Sequence, residues 1–181
     1  MNRVPLIDRS STSPDRKSVL DAINGAFGAT PNMFRAVANS PAALNSLWGS
    51  FGALGSGVLD PKLAEQIAVA VANRNACEYC LAAHTALGRK AGASAGEMRE
   101  AQLGGSADPR TRAALQFALK LVDQRGQLDD ADVSTLRSAG YDDEQIVEIV
   151  AHVALNLFTN YVNIALSVPL DFPAVTLSKA A

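Results

Sequence analysis

Two cysteines and one histidine lie close together in this sequence, and their spacing suits thiol chemistry. Cys77 and Cys80 are three residues apart, so on the first turn of a helix their sulfurs could form a disulfide or share a metal ion. His84 follows Cys80 by four residues, which on a helix places it one turn further along the same face. Because a helix N-terminus favours the thiolate, we expect the pKa of Cys80 to lie below that of free cysteine. The second cysteine is close enough to resolve whatever the first one forms.

Two other interpretations of the cysteine pair stay open at this point. Free cysteines often behave as small buried hydrophobic residues, so Cys77 and Cys80 could simply be part of the core. Alternatively, the two sulfurs and the imidazole of His84 would supply three ligands, which is enough for a catalytic zinc ion. The chain has no second close pair of such ligands, and we predict neither a metal ion nor a cofactor.

Glu65 stands twelve residues before Cys77, beside the apolar run at 67–72. On the outer face of its helix it would be an ordinary solvated glutamate. Partly buried and facing the cysteines, it would instead be a carboxylate able to take up a proton. His84 could likewise be an ordinary core or surface histidine, but one turn from Cys80 it is well placed to pass a proton or stabilise a thiolate.

A polar stripe runs along the apolar sequence near the C-terminus. Its members are spaced by four, four and three residues, and they are His152, Asn156, Asn160 and Asn163. Buried polar groups need partners, so an interhelical hydrogen-bond network is the first expectation for this stripe. The alternative is a ligand pocket, for which the candidates are His152 and Asn156, together with Tyr79 between the cysteines.

Proline placement predicts the helices that hold these residues. Five prolines follow a good N-cap residue, as expected at helix starts, at Ser13-Pro14, Thr30-Pro31, Ser40-Pro41, Asp60-Pro61 and Asp108-Pro109. Apolar residues then recur at helical spacing, and no alternating strand pattern is found. The predicted helices are 14–27, 31–39, 41–56, 61–74, 76–91, 95–103, 109–125, 130–139 and 142–167, with Asn75 and Glu78 forming a capping box for the cysteine helix.

The composition indicates one globular all-α domain over residues 1–181, with the core motif region at 60–92 and extended tails at 1–13 and 169–181. Hydrophobic residues make up 48% of the chain and charged residues 19%, which is typical of a folded protein. The net charge of −2 gives no reason to expect nucleic acid or an anionic membrane as a partner. Polar residues interrupt the longest apolar run, at 146–170, and residues 1–13 contain no apolar signal segment. We therefore expect a cytoplasmic protein, and in that reducing compartment a Cys-x-x-Cys pair is more often catalytic or metal-binding than structural.

The order Glu65, eleven residues, Cys77-x-x-Cys80, three residues, His84 resembles the core signature of the alkylhydroperoxidase D-like proteins, in the carboxymuconolactone decarboxylase superfamily. The later stretch Asn156-x-x-Thr159-Asn160-Tyr161-x-Asn163, with Asp171-Phe172-Pro173, is similar to the branch called peroxidase-related. The resemblance covers most of the chain. It implies an all-α helical bundle that assembles into homo-oligomers, often trimers or hexamers, and that reduces hydroperoxides.

The resemblance also implies roles for individual residues. Cys80 attacks the hydroperoxide, Cys77 resolves the product, Glu65 is the base and His84 relays protons, partly through water. An external thiol or dithiol then restores the cysteines. One departure stands out, because a histidine precedes the attacking cysteine in well-known alkylhydroperoxidase D proteins and Tyr79 takes that position here. True decarboxylases of the superfamily lack the cysteine pair, which argues against lactone decarboxylation.

Two other functions remain open from the sequence. One is a thiol–disulfide oxidoreductase that acts on a protein disulfide or a dithiolane. The other is a redox sensor whose packing responds to disulfide formation. In each case we expect a homo-oligomer, because helix 142–167 is apolar on more than one face and a small domain cannot cover all of it.

Overall fold

The computed structural model describes residues 2–179, and within that range all regular secondary structure is helical. This confirms the predicted all-α fold. The nine α-helices of the described chain are α1 (Pro14–Phe27), α2 (Asn32–Val37), α3 (Pro41–Leu54), α4 (Pro61–Arg74), α5 (Glu78–Lys90), α6 (Ala95–Ala101), α7 (Pro109–Asp123), α8 (Asp130–Ser138) and α9 (Asp143–Ala165). Met1, Ala180 and Ala181 are outside the described residues, and so are the outermost parts of the two predicted tails.

The helices begin where local chemistry favours them. At α3, α4 and α7 a serine or aspartate side chain accepts a hydrogen bond from a backbone N–H of the first turn, and proline occupies the first helical position. One proline departs from the prediction, since Pro31 is itself the N-cap residue and α2 begins at Asn32. All predicted helix ends lie within two residues of the observed ones.

Helix α4 lies at the centre of the bundle and packs against α5, α6, α7 and α9. Its segment 67–72 is buried on every side, and Ile67, Val69 and Val71 are completely inaccessible to solvent. A cluster of aromatic rings comes from α1, α2 and α3, with Phe34 in contact with Trp48 and Phe51 at centroid distances of 5.9 and 5.6 Å, and both α2 and α3 pack against α9. This apolar packing holds α4 and α5 in a fixed relation to α9.

The segments before α1 and after α9 pack on the bundle. Arg3 N–H donates to the carbonyl of Leu166 at 2.9 Å, and the N-terminal segment contains a 3₁₀ turn at Arg9–Ser11 instead of being extended throughout. At the other end, the backbone N–H of Ser178 donates to the side chain of Asn73 at 2.8 Å. Across residues 2–179, none of the helices has the length and apolar character required to span a bilayer.

Candidate functional site

The hairpin formed by α4 and α5 brings together Glu65 and His84, which are nineteen residues apart in the sequence. Only residues 75–77 connect the two antiparallel helices, and Ala76 has a φ of 55° in this tight turn. Nδ1 of His84 lies 2.7 Å from Oε2 of Glu65. The Glu65 side chain is 23% exposed, so the carboxylate lies partly buried beside the imidazole rather than on the outer face of the bundle.

The partnership with Glu65 favours the charged form of His84. Burial of the imidazole opposes protonation, but the charge of Glu65 and its hydrogen bond outweigh burial, and the pKa of His84 is raised above its usual value. No direct hydrogen bond joins His84 to the sulfur of Cys80, so its influence on that sulfur is through charge.

Cys77, and not Asn75, is the N-cap residue of α5. The Cys77 sulfur accepts a hydrogen bond from the backbone N–H of Cys80 at 3.4 Å. The predicted capping box is therefore wrong, because Asn75 ends α4 and Glu78 is already the first helical residue of α5. The Asn75 side chain donates instead to Oδ1 of Asn160 on α9, at 2.9 Å. A polar link between the α4–α5 turn and α9 thus takes the place of the expected cap.

The sulfur of Cys80 is buried among polar groups. Both cysteines are free thiols, and Cys80 is only 2% exposed. Nδ2 of Asn163 donates to its sulfur at 3.1 Å, and the hydroxyl of Thr159 lies 3.9 Å away. A hydrogen bond from the Cys77 thiol is the largest influence, and with the charge of His84 and the bonds from α9 it outweighs burial. Together these groups lower the pKa of Cys80 to about 6.

The pKa of the Cys77 thiol is shifted in the opposite direction. Its interaction with the Cys80 sulfur and its burial both raise the pKa of Cys77 above the usual range for a thiol. At neutral pH the pair therefore holds one proton, with Cys80 as the thiolate and Cys77 as the thiol that donates to it. Such a pair combines a nucleophile with a second thiol that can displace what the nucleophile forms.

Sequence reasoning did not assign Asn163 and Thr159 to the thiolate. Asn163 is 83 positions from Cys80 along the chain, and only the docking of α9 brings the two together. The signal that could have indicated them was the polar stripe itself, whose helical spacing puts successive members on one face of α9. The structure divides this stripe between two uses, because Asn160 and Asn163 bond to the α4–α5 region whereas His152 and Asn156 line a cavity.

Two adjoining spaces meet at His84. A chamber of about 30 Å³ adjoins Cys80, and its wall includes the aromatic rings of Phe27, Phe34, Phe51, Tyr79 and Phe172. A larger cavity of about 310 Å³ contains Glu65, His152 and Asn156 in its wall. His84 lines both spaces.

Tyr79 belongs to the small chamber and not to the cavity of His152. Its hydroxyl accepts a hydrogen bond from the backbone N–H of Met33 at 3.2 Å, and its ring meets Phe172 edge-on at a centroid distance of 5.8 Å. Burial raises the pKa of Tyr79, so its hydroxyl stays neutral. Tyr79 therefore fixes α2 and the C-terminal segment against α5.

The zinc site was the other interpretation of the cysteine pair. Within residues 2–179, no group of three or more His, Cys, Asp or Glu side chains is arranged to hold a metal ion.

Comparison with known proteins finds one matching family model and several similar solved structures. The family model of the carboxymuconolactone decarboxylase family matches residues 38–124, a range that contains Glu65, both cysteines and His84. None of the curated proteins matches the chain.

Solved structures resemble the chain over nearly its whole length. An uncharacterized peroxidase-related protein from Ralstonia eutropha JMP134, described as an alkylhydroperoxidase AhpD core, is 26% identical, with 94% of this chain and 92% of that chain covered and a TM-score of 0.86. A peroxidase-related protein from Silicibacter sp. TM1040 is also 26% identical, with 93% and 91% covered and a TM-score of 0.81. The debrominase Bmp8, in complex with 2,3,4-tribromopyrrole, shares the fold at 22% identity, with 93% and 91% covered and a TM-score of 0.80. The family model and these solved structures together support a place for the chain in the alkylhydroperoxidase D and carboxymuconolactone decarboxylase superfamily.

Proposed function

We propose that this protein is a thiol-dependent peroxidase of the peroxidase-related branch, which reduces hydroperoxides with Cys80 as the attacking nucleophile. The observation that carries the proposal is that the pKa values of two neighbouring thiols are shifted in opposite directions. The pKa of Cys80 is lowered to about 6, whereas the pKa of Cys77 is raised. A thiolate that exists at neutral pH beside a protonated thiol suits a reaction in which one sulfur attacks and the other resolves.

In the first step, the Cys80 thiolate attacks the terminal oxygen of the hydroperoxide. The O–O bond breaks, the sulfur becomes a sulfenic acid, and the peroxide leaves as an alkoxide that needs one proton. His84 is the group proposed to supply that proton, because Glu65 at 2.7 Å favours its protonated form and because it lines the chamber next to Cys80. His84 regains its proton when the disulfide is reduced, because the return of Cys80 as a thiolate releases one proton and the charge of Glu65 favours the protonated imidazole.

In the second step, the sulfur of Cys77 attacks the sulfenic acid on Cys80. A disulfide forms, and the released hydroxide leaves as water with the proton of the Cys77 thiol. An external thiol or dithiol returns both cysteines to the reduced state by exchange, with Cys77 as the entry point. Cys77 borders a surface depression with Ile164 and Leu170, and this depression shares no lining residue with the cavity of His152.

A thiol–disulfide oxidoreductase is the second candidate function, and the same observation favours it. An acidic thiolate next to a protonated thiol can also open the disulfide of another molecule, with no peroxide involved. The redox sensor predicted from the sequence differs from both, because it would form its disulfide without turnover.

Peroxide consumption by the reduced protein, measured together with thiol counting, tests the proposal. We expect one equivalent of hydroperoxide to oxidise both thiols, and catalytic turnover when a dithiol is supplied. Cys80→Ser should abolish consumption. Cys77→Ser should react once and then stop as a sulfenic acid, which further peroxide over-oxidises.

The matched pair of serine variants makes the test decisive, because each removes one sulfur from the same turn of α5. Retained peroxide consumption in Cys80→Ser, with sulfenic acid on Cys77, would reverse the assignment. Reduction of a model disulfide without any peroxide turnover would select the oxidoreductase instead.

A further inference from the structure

The larger cavity has the form of a small-molecule site. Its volume of about 310 Å³ lies at the lower end of the ~300–1,000 Å³ typical of ligand pockets. Helices α3, α4, α5 and α9 enclose it, and apolar side chains such as Leu54, Leu87 and Leu155 form most of its wall. Its polar side chains come from three helices: Glu65 from α4, His84 and Lys90 from α5, and His152 and Asn156 from α9.

His152 is the polar group in this wall that has unused bonding capacity. Its Nε2 atom is buried and has no hydrogen-bond partner among residues 2–179. Burial also lowers the pKa of His152, so the imidazole is neutral and Nε2 can donate or accept according to tautomer. Since buried polar atoms of native proteins nearly always have a hydrogen-bond partner, we expect this nitrogen to bind a partner from outside the chain.

Two of the neighbouring polar contacts are internal to the protein. Glu65 and His84 bond to each other at 2.7 Å. The amide nitrogen of Asn156 donates to the backbone carbonyl of His152 at 2.9 Å, within α9. Lys90 also lines the cavity but is exposed to solvent, so His152 supplies the buried recognition group.

The cavity also adjoins the space in front of the nucleophile. Phe51, His84 and Leu87 line both the cavity and the 30 Å³ chamber next to Cys80. The chamber has room for the two oxygens of a peroxide but not for an organic body, whereas the cavity has room for such a body. A molecule that spans the two spaces would pass His84 at the junction.

We propose that the cavity binds the organic part of the substrate, and that His152 hydrogen-bonds to a hydroxyl group on that part. A hydroxyl both donates and accepts, so it matches Nε2 in either tautomer. The ligand class is a small apolar molecule, aromatic or branched, that carries one hydroxyl away from its reacting end. This inference rests on the proposed peroxidase function for the identity of the reacting end, but the binding itself does not require turnover.

Phenol and toluene are a matched pair of probes, because they have nearly the same shape and differ by one hydroxyl. We expect NMR titration of the reduced protein to show phenol binding with perturbation of the His152 ring signals, and about tenfold more tightly than toluene. In His152→Leu the preference for phenol should disappear, and in His152→Gln, which keeps a hydrogen-bonding group, it should be partly restored. Leu54→Trp fills the cavity from α3, leaves His152 unchanged, and should weaken both ligands.

Inhibition connects the cavity with the reaction. Phenol should compete with cumene hydroperoxide in the wild-type protein, and its inhibition constant should rise about tenfold in His152→Leu. Equal affinity for phenol and toluene would overturn the role of His152. Binding of phenol at the cavity without inhibition of peroxide reduction would overturn the assignment of the cavity to the substrate. Absence of peroxide turnover in the wild type would instead contradict the proposed function, and the titration would still report on the cavity.

Discussion

Replacing Asn163 with leucine should make the Cys80 thiol less acidic while the fold is retained. The change removes the Nδ2 donor that lies 3.1 Å from the sulfur and keeps the size of the side chain. Oδ1 of Asn163 is buried without a partner, so its loss leaves no other group unsatisfied.

The size of the effect follows from the strength of the bond. A hydrogen bond to a charged group contributes about 1.5–3 kcal/mol, and one pKa unit corresponds to about 1.36 kcal/mol. The pKa of Cys80 should therefore rise by roughly one to two units from its value of about 6. Fewer thiolates are then present at pH 6, but each is intrinsically more nucleophilic, because nucleophilicity increases with basicity.

The rate of Cys80 alkylation by iodoacetamide, followed by mass spectrometry from pH 5 to pH 9, measures this shift. The variant should react about three- to fourfold more slowly than wild type near pH 6 and about fivefold faster near pH 9, so the two curves cross. Asn160→Leu is the matched control, since Asn160 is buried on the same helix but bonds to Asn75 and not to the sulfur. An unchanged midpoint in Asn163→Leu, or an equal shift in Asn160→Leu, would refute the role given to this contact.

Three further predictions concern the acid–base pair, the tyrosine and assembly. Glu65→Gln removes the charge that favours protonated His84 and should slow peroxide reduction by about 10²–10⁴-fold, with both thiols still present by titration. Tyr79→Phe loses the bond from Met33 N–H and should lower the free energy of unfolding by about 1 kcal/mol in urea, while peroxide turnover continues. The exposed apolar face of α9, on which Tyr161 is 60% exposed, should be covered in a homo-oligomer, a trimer or hexamer by family resemblance. Light scattering that gave a monomer of 18.9 kDa would contradict this last prediction.

Much of the fold could be predicted from local signals. An N-cap residue followed by proline fixes a helix start within a few residues, which is why α3, α4 and α7 begin where the sequence places them. The start of α5 was the exception. Asn75 was expected to cap it, because nothing local indicates that Cys77 takes that position and that Asn75 turns towards α9.

The candidate site likewise contains residues that local sequence could group and one residue whose contact depends on the packing of distant helices. Glu65, Cys77, Cys80 and His84 lie within one hairpin, so helical spacing and family resemblance were enough to group them. Asn163 was visible only as one member of a polar stripe. Its partner depends on how α9 crosses α5, and that crossing is set by apolar packing throughout the core rather than by any residue near Asn163.

The short connection between α4 and α5 has a consequence for the order of folding. Contacts within this hairpin are local in sequence, and local contacts form early because little chain entropy is lost in closing a short loop. The pairing of Glu65 with His84 can thus precede the docking of α9, which must close a loop of about eighty residues to reach Cys80. The acidity of Cys80 depends on both events. A nascent or partly unfolded chain would consequently carry a less acidic Cys80 thiol, and the full lowering of its pKa would mark the arrival of α9 as a late step of folding.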